Sequence, residues 1–301
     1  PMTIRRPSAA DLVTLSVAVA AVSTSAPIIA AAAVAPLALA FWRCLIGGLL
    51  TAPIALWRGL GVLTGLSRDQ RRQLVLAAFW LAAHFAAWIP SLSFTSVASA
   101  AALIATQPVW SALIVRLSGQ RVPRGVWLGI GVALIGVLML TGIDASLDPR
   151  SLVGDGLALA GAVLAALYVQ AGETARQSIS TSVYSLVVYL GAAVFLLPLG
   201  LLFGAAMWGY PADQWLLILA LTLVAQLLGH TLINHALART SATVVSLAIL
   251  FELPGAVLIA ALWLGQLPSL TVIPALLLLL AGLAMVIRSA QAPEPWESPP
   301  V

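Results

Sequence analysis

The sequence carries three histidines in 301 residues, and two of them sit inside long apolar runs. His84 has Trp80 and Trp88 four residues to either side, which places all three on one face of a helix. His230 is flanked in the same way by Gln226 and Asn234. One stripe is aromatic and the other rich in amides. Facing each other, they would hold a ligand with an apolar body and several hydrogen-bonding groups. The alternative is adhesion between helices, because His, Asn and Gln hydrogen-bond across apolar helices for about 0.6 to 2 kcal/mol.

Glu252 is the one carboxylate near the middle of an apolar run. At the centre of a bilayer a charged side chain costs roughly 2.5 to 3.5 kcal/mol on insertion scales. It must therefore be protonated, paired or facing water. Pro254 removes a backbone donor two residues later, so a disturbed helix lies beside a carboxylate. That combination suits a substrate ammonium or a coupling proton; a structural pairing, for instance with Arg43, is the other reading. Arg43, the second charge at this depth, can receive a carboxylate through its planar fork or anchor nearby carbonyls. Thr106, Gln107 and Pro108 form a second polar group before a proline, with Trp110 one turn beyond Thr106 and able to close a cavity. Tyr168 with Gln170, and Ser23, Thr24 and Ser25 ahead of Pro27, add hydroxyls and an amide at similar depth. Hydroxyls of this kind commonly bond their own helix.

Other chemistry finds no support in the residue pattern. There is no phosphate-binding loop, no paired catalytic carboxylates and no nucleophile elbow, so the chain reads as a non-enzyme without a cofactor. His230 and His235 are five residues apart and do not share a helix face, so no metal site is expected.

The elements that position these residues follow from composition. Hydrophobic residues make up 61% of the chain and charged ones 8%, and mean hydropathy is +1.07. Soluble domains carry roughly a quarter charged residues, so lipid is the main solvent. A helix needs about 20 apolar residues to cross the hydrocarbon core. Windows of that size give spans at 11–32, 35–57, 73–93, 96–117, 124–142, 152–174, 182–204, 214–236, 241–264 and 269–288. The fold class expected is an all-α membrane protein with ten transmembrane helices as two inverted five-helix repeats. Trp57, Trp127, Trp208, Trp215 and Trp263 near span ends read as interface anchors. Gly125 and Gly129 form a small-residue pattern suited to helix packing or dimerisation, leaving a monomer or homodimer. The lone cysteine, Cys44, cannot make an internal disulfide.

Sliding the chain by the interval from His84 to His230 pairs further uncommon residues. Pro108 falls on Pro254, Gly119 and Gln120 on Gly265 and Gln266, Gly136 on Gly282, and Met139 on Met285. An odd number of spans per half forces the second half to enter from the opposite side. Inverted repeats of this kind build secondary transporters with a midplane site. All 14 basic residues are arginine. With a cytoplasmic N-terminus, Arg5, Arg6, Arg58, Arg68, Arg71, Arg72, Arg116, Arg121, Arg124, Arg176, Arg239 and Arg288 are all cytoplasmic, against Arg150 outside. That bias orients a membrane protein and argues against a nucleic-acid partner, despite the net charge of +4. The organisation expected is a cytoplasmic segment 1–10, a first repeat 11–143, an external linker 144–151, a second repeat 152–288 and a disordered cytoplasmic tail 289–301.

The chain resembles the EamA-type branch of the drug/metabolite transporter superfamily. The likeness rests on five plus five spans, on Phe41, Trp42 and Arg43 followed by small residues and Pro53, and on Pro108 and Pro254, each separated by ten intervening residues from Gly119-Gln120 and Gly265-Gln266. The branch usually has Glu where Gln120 and Gln266 stand. Within the branch, the sequence looks most like bacterial aromatic amino-acid exporters of the YddG type. The resemblance implies export across the bacterial inner membrane, with both termini cytoplasmic and a site lined by spans 1, 3, 4, 6, 8 and 9. The expected substrate-binding set is therefore Trp80, His84, Trp88, Thr106, Gln107, Trp110, Tyr168, Gln226, His230, Asn234 and Glu252, with Arg43, Pro27, Pro108 and Pro254 structural or gating. The expected partners are amino acids as small-molecule substrate and the lipid bilayer. Efflux of aromatic or quaternary cations is the alternative within transport; a lipid-modifying enzyme and a non-transporting scaffold are the readings outside it.

Overall fold

The computed structural model describes residues 7–95, 97–119, 121–141, 149–176, 179–240, 242–265 and 272–289. Gln120, Gln266, most of the expected linker and the tail from Ala290 lie outside the described residues. Within them the chain is helical, with no strand. In order the helices are α1 (Ala9–Val22), α2 (Ser25–Ala31), α3 (Pro36–Arg58), α4 (Arg68–Ser91), α5 (Val97–Ile104), α6 (Gln107–Leu117), α7 (Arg124–Thr141), α8 (Pro149–Ala175), α9 (Thr181–Leu202), α10 (Ala212–Ala220), α11 (Thr231–Leu237), α12 (Ala242–Ile249), α13 (Glu252–Leu264) and α14 (Val272–Ser289). Short polar residues fix several starts. Ser8 and Asp11 close a capping box on α1, Ser67 and Gln70 do so on α4, and Ser180 caps α9.

Seven helical runs are long and apolar enough to cross a membrane: Ala9–Ala31, Pro36–Arg58, Arg68–Ser91, Pro149–Ala175, Thr181–Leu202, Ala212–Leu237 and Val244–Trp263. Helices α5–α6, α7 and α14 occupy the other three expected segments without reaching that standard over the described residues.

Three of the expected segments are broken, and a proline accounts for each break. A proline ring clashes with the carbonyl four residues earlier. For Pro27, Pro108 and Pro254 those carbonyls belong to Ser23, Ile104 and Leu250. The breaks fall there, between α1 and α2, α5 and α6, and α12 and α13. Tighter bonds bridge the gaps: Thr24 N–H donates to Ala21 O (3.2 Å), Thr106 N–H to Leu103 O (3.1 Å) and Phe251 N–H to Ala248 O (3.1 Å). Ser23, Thr24 and Thr106 also return their hydroxyls to carbonyls three or four residues back.

Helices α10 and α11 are joined by a π-helical segment, Leu221–His230, which carries Gln226 and His230. Such segments are rare and concentrate at functional sites. The equivalent stretch of the first half, in α4, is plain α-helix.

Equivalent helices of the two halves meet head to tail. Helix α7 packs on α14, with Gly125 beside Ser289, Gly129 beside Val286 and Gly282, and Gly282 beside Ala133, so the two run antiparallel. Glycine is required at this crossing. A Cβ on Gly129 would lie 2.7 Å from the Gly282 carbonyl, and one on Gly282 2.5 Å from the Gly129 carbonyl. The small-residue pattern at Gly125 and Gly129 is thus used inside the chain. Helix α3 likewise runs antiparallel to α9, Gly48 against Leu190 and Gly200 against Leu37. Helix α4 packs on α8 and, in the matching arrangement, α1 packs on the π-helical segment and α11.

Candidate functional site

The three helix breaks and the π-helical segment converge on one small cavity. Its wall includes Ser25 and Val22 from the α1–α2 break, Gln107 and Ile104 from the α5–α6 break, and Glu252 and Ile249 from the α12–α13 break. Helix α4 adds His84, Phe85 and Trp88, α8 adds Tyr168, and the π-helical segment adds His230. The cavity is about 40 Å³, room for roughly three water molecules at ~10–15 Å³ each. Small-molecule sites are usually about 300–1,000 Å³. As it stands the wall is drawn in around its centre.

Rings form much of that wall. The His84 imidazole stacks on Trp88 at 6.0 Å and 8° between planes, and its Nδ1 is 2.9 Å from the Gly161 carbonyl on α8. Phe85 meets His230 edge-on at 5.5 Å, and Tyr168 lies 6.4 Å from His230. Among the described residues the Nδ1 of His230 and the indole Nε1 of Trp88 are buried without a hydrogen-bond partner. Buried polar groups are nearly always paired, so two free groups on one wall leave places for a ligand or water to bond.

Behind this wall lies Arg43, fully buried on α3. Its Nε donates to Gln226 Oε1 (2.9 Å), its Nη1 lies 3.4 Å from Ser25 Oγ, and its guanidinium carbon sits 4.2 Å over the Phe85 ring. Glu252 makes no ion pair with it. The ion pair among the described residues joins Asp11 to Arg239 at 3.5 Å. No direct ion pair joins Arg43 to Glu252, so any pairing of the two acts at longer range.

A second polar group props up the far side. Tyr168 OH donates to Asn234 Oδ1, and Asn234 Nδ2 reaches Ser185 Oγ at 3.2 Å and Tyr189 OH at 3.4 Å. Tyr189 OH in turn lies 3.3 Å from the Gln226 carbonyl, inside the π-helical segment.

The expected set therefore divides. His84, Trp88, Gln107, Tyr168, His230 and Glu252 share the wall. Gln226 and Asn234 are fully buried behind it, holding Arg43 and Tyr168. Trp80 packs edge-on against Phe79 at 4.9 Å and does not reach the cavity. Trp110 donates to Thr106 Oγ1 at 3.1 Å, so that pair braces the α5–α6 break. Pro27, Pro108 and Pro254 act through the breaks themselves. Ser25, named only as a weak hydroxyl candidate, and Phe85, an apolar neighbour of His84, stand in the wall as well.

Each end of this core is fastened at repeat-equivalent places. Where α1 begins, Asp11 holds Arg239 of the loop between α11 and α12. Where α8 begins, Asp155 Oδ1 accepts from Thr95 Oγ1 at 2.7 Å and Arg150 donates to the Ser93 carbonyl at 3.2 Å, in the loop after α4. Ser93 and Arg239 are matched positions in the internal repeat.

Comparison with known proteins agrees with this architecture. One crystal structure superposes with a TM-score of 0.76 over 94% of this chain and 98% of the other, at 22% identity, a likeness that shows the fold alone. No curated protein sequence matches the chain. The EamA-like transporter family profile matches twice, over residues 8–142 and again over 152–288. With its two halves matching in turn, the chain belongs to the EamA-like transporter family of the drug/metabolite transporter superfamily and is a multi-pass membrane protein that acts on small molecules.

Proposed function

We propose that this transporter is a secondary exporter of amino acids, aromatic and other neutral ones, working by alternating access. The observation that carries the reading is the composition of the cavity wall. Stacked and edge-on rings from Trp88, His84, Phe85 and Tyr168 suit an apolar side chain, while Glu252 and Gln107 offer an acceptor for an ammonium and further hydrogen bonds. The residues His84, Trp88, Gln107, Tyr168, His230 and Glu252 are the proposed contacts. In this reading ten spans form two inverted five-helix repeats, 11–143 and 152–288, set in a bacterial inner membrane with both termini cytoplasmic. The arginine bias supports that orientation, and the antiparallel α3–α9 and α7–α14 pairs support the inversion.

Substrate loading needs a larger cavity than the present one. The proline breaks in α1–α2, α5–α6 and α12–α13 supply hinge points at the level of the wall. Purified protein in liposomes is expected to exchange labelled Phe, Trp, Met or Thr. No exchange of any amino acid above empty liposomes overturns the reading.

A second reading is export of aromatic or quaternary cations, favoured by one carboxylate, Glu252, facing several aromatic rings. It predicts that quaternary ammonium ions, and not zwitterions, block transport.

A further inference from the structure

We propose that the buried Arg43–Gln226 pair is the carboxylate-binding pole of the substrate site, so that the transporter takes its substrate as an oriented zwitterion. The inference rests on the amino-acid reading and adds to it which end of the substrate goes where.

The first observation is a buried cation with no direct counter-ion. Arg43 is fully buried, and no carboxylate among the described residues pairs with it. Its partners are a neutral amide, a neutral hydroxyl and the face of Phe85. A buried cation is ordinarily held by a counter-charge and saturated with hydrogen bonds. Here Nη2 of Arg43 has no partner, and neither does Nε2 of Gln226, the side chain whose oxygen already accepts from Arg43 Nε. Two adjacent, fully buried side chains thus each present a free N–H donor, one of them charged. A planar guanidinium with a donor beside it is the arrangement that receives a carboxylate.

The second observation is where this pair sits. Ser25 and Phe85, the two residues between which the guanidinium rests, are both in the cavity wall. The charge is one side chain away from the space a substrate would enter. Glu252 lines that same space. A carboxylate thus lines the cavity and a cation lies behind its Ser25 and Phe85 wall, with no direct ion pair between them. Such a dipolar wall suits a molecule that carries both charges, with its carboxylate toward α3 and its ammonium toward α13.

The test measures direct binding to purified protein by titration calorimetry with three ligands: phenylalanine, phenethylamine, which lacks the carboxylate, and 3-phenylpropionate, which lacks the ammonium. The variant is Gln226→Glu, which gives Arg43 a permanent carboxylate of nearly the same shape and is expected to keep the fold. In the wild type, phenylalanine binds about 10- to 150-fold tighter than phenethylamine, the range for one charge-assisted contact. In Gln226→Glu, phenylalanine weakens to the level of phenethylamine, 3-phenylpropionate weakens in parallel, and phenethylamine binds as before or better. Retained phenethylamine binding shows that the variant is folded. Unchanged phenylalanine binding in the variant, or equal weakening of all three ligands, overturns the proposal. Wild-type protein that binds 3-phenylpropionate but no amino acid keeps the carboxylate pole and removes the amino-acid reading. Wild-type protein that binds phenylalanine no better than phenethylamine keeps that reading and removes the pole.

Discussion

Replacing Glu252 with glutamine isolates the contribution of its charge. The side chain lines the cavity at the first turn of α13, with no ion pair among the described residues. Two effects then act in opposite directions on different measurements. For stability, the carboxylate carries an insertion cost of roughly 2.5 to 3.5 kcal/mol at the bilayer centre, offset by about 0.3 to 1 kcal/mol from its place at a helix N-terminus. Glutamine removes the larger quantity and keeps the shape, so Glu252→Gln is expected to be at least as stable as wild type. For substrate, a charge-assisted bond to an ammonium is worth about 1.5 to 3 kcal/mol, so half-saturation for phenylalanine should rise about 10- to 150-fold. Exchange of labelled phenylalanine in liposomes, run beside thermal unfolding in detergent, reads both. A threefold or smaller change in half-saturation refutes the placement of Glu252 as the ammonium acceptor, and a loss of stability above ~1 kcal/mol refutes the reading of its charge as a net cost to the fold.

Other outcomes follow from the same geometry. Gly129→Leu forces a side chain into the Gly282 carbonyl and Val286 and should destabilise the protein by about 1 to 3 kcal/mol or more, seen as a lower unfolding midpoint. Tyr168→Phe removes the donor to Asn234 and should lower stability by about 0.6 kcal/mol, at most ~1.7; a larger loss would mean that the ring itself is misplaced. Cys44 is fully buried beside Arg43. It should resist a membrane-permeant maleimide in the native protein and react promptly in sodium dodecyl sulfate; prompt native labelling would show that the α3 core opens.

The chemistry at mid-depth was legible where a residue type is out of place in lipid. His84, His230, Glu252 and Tyr168 are conspicuous for that reason, and they meet in one wall. Sharing a helix face proved weaker than sharing a depth. Trp80 is two turns from Trp88, a rise of about 12 Å, and the cavity covers one end of that stripe alone. Gln226 and Asn234 have the right face too, yet Asn234 is taken up by Tyr168, Ser185 and Tyr189, and the Gln226 oxygen by Arg43, which leaves only the Gln226 Nε2 without a partner. Nothing in a single sequence says whether an amide will be used by a neighbour or by a ligand. Phe85 escaped notice because an apolar residue in an apolar run carries no signal. The π-helical segment has no residue signature at all; within it the Gln226 carbonyl accepts from the Tyr189 hydroxyl. The breaks were partly marked: Pro27, Pro108 and Pro254 point to them through the carbonyl four residues back, whereas Pro53, Pro90 and Pro198 sit inside unbroken helices.

The fasteners at the two ends of the bundle are not chemically alike, and that gives the cycle a handle. Arg239 is 55% exposed where it grips Asp11, so the attraction there fades as dissolved ions crowd in, within a screening length of about 8 Å at physiological strength. At the other end each bond has one charged and one neutral partner, the Asp155 carboxylate with the Thr95 hydroxyl and the Arg150 guanidinium with the Ser93 carbonyl, so added electrolyte acts there less than on a pair of opposite charges. Raising the salt concentration uniformly should therefore loosen one door more than the other and tilt the resting population toward the Arg239 side.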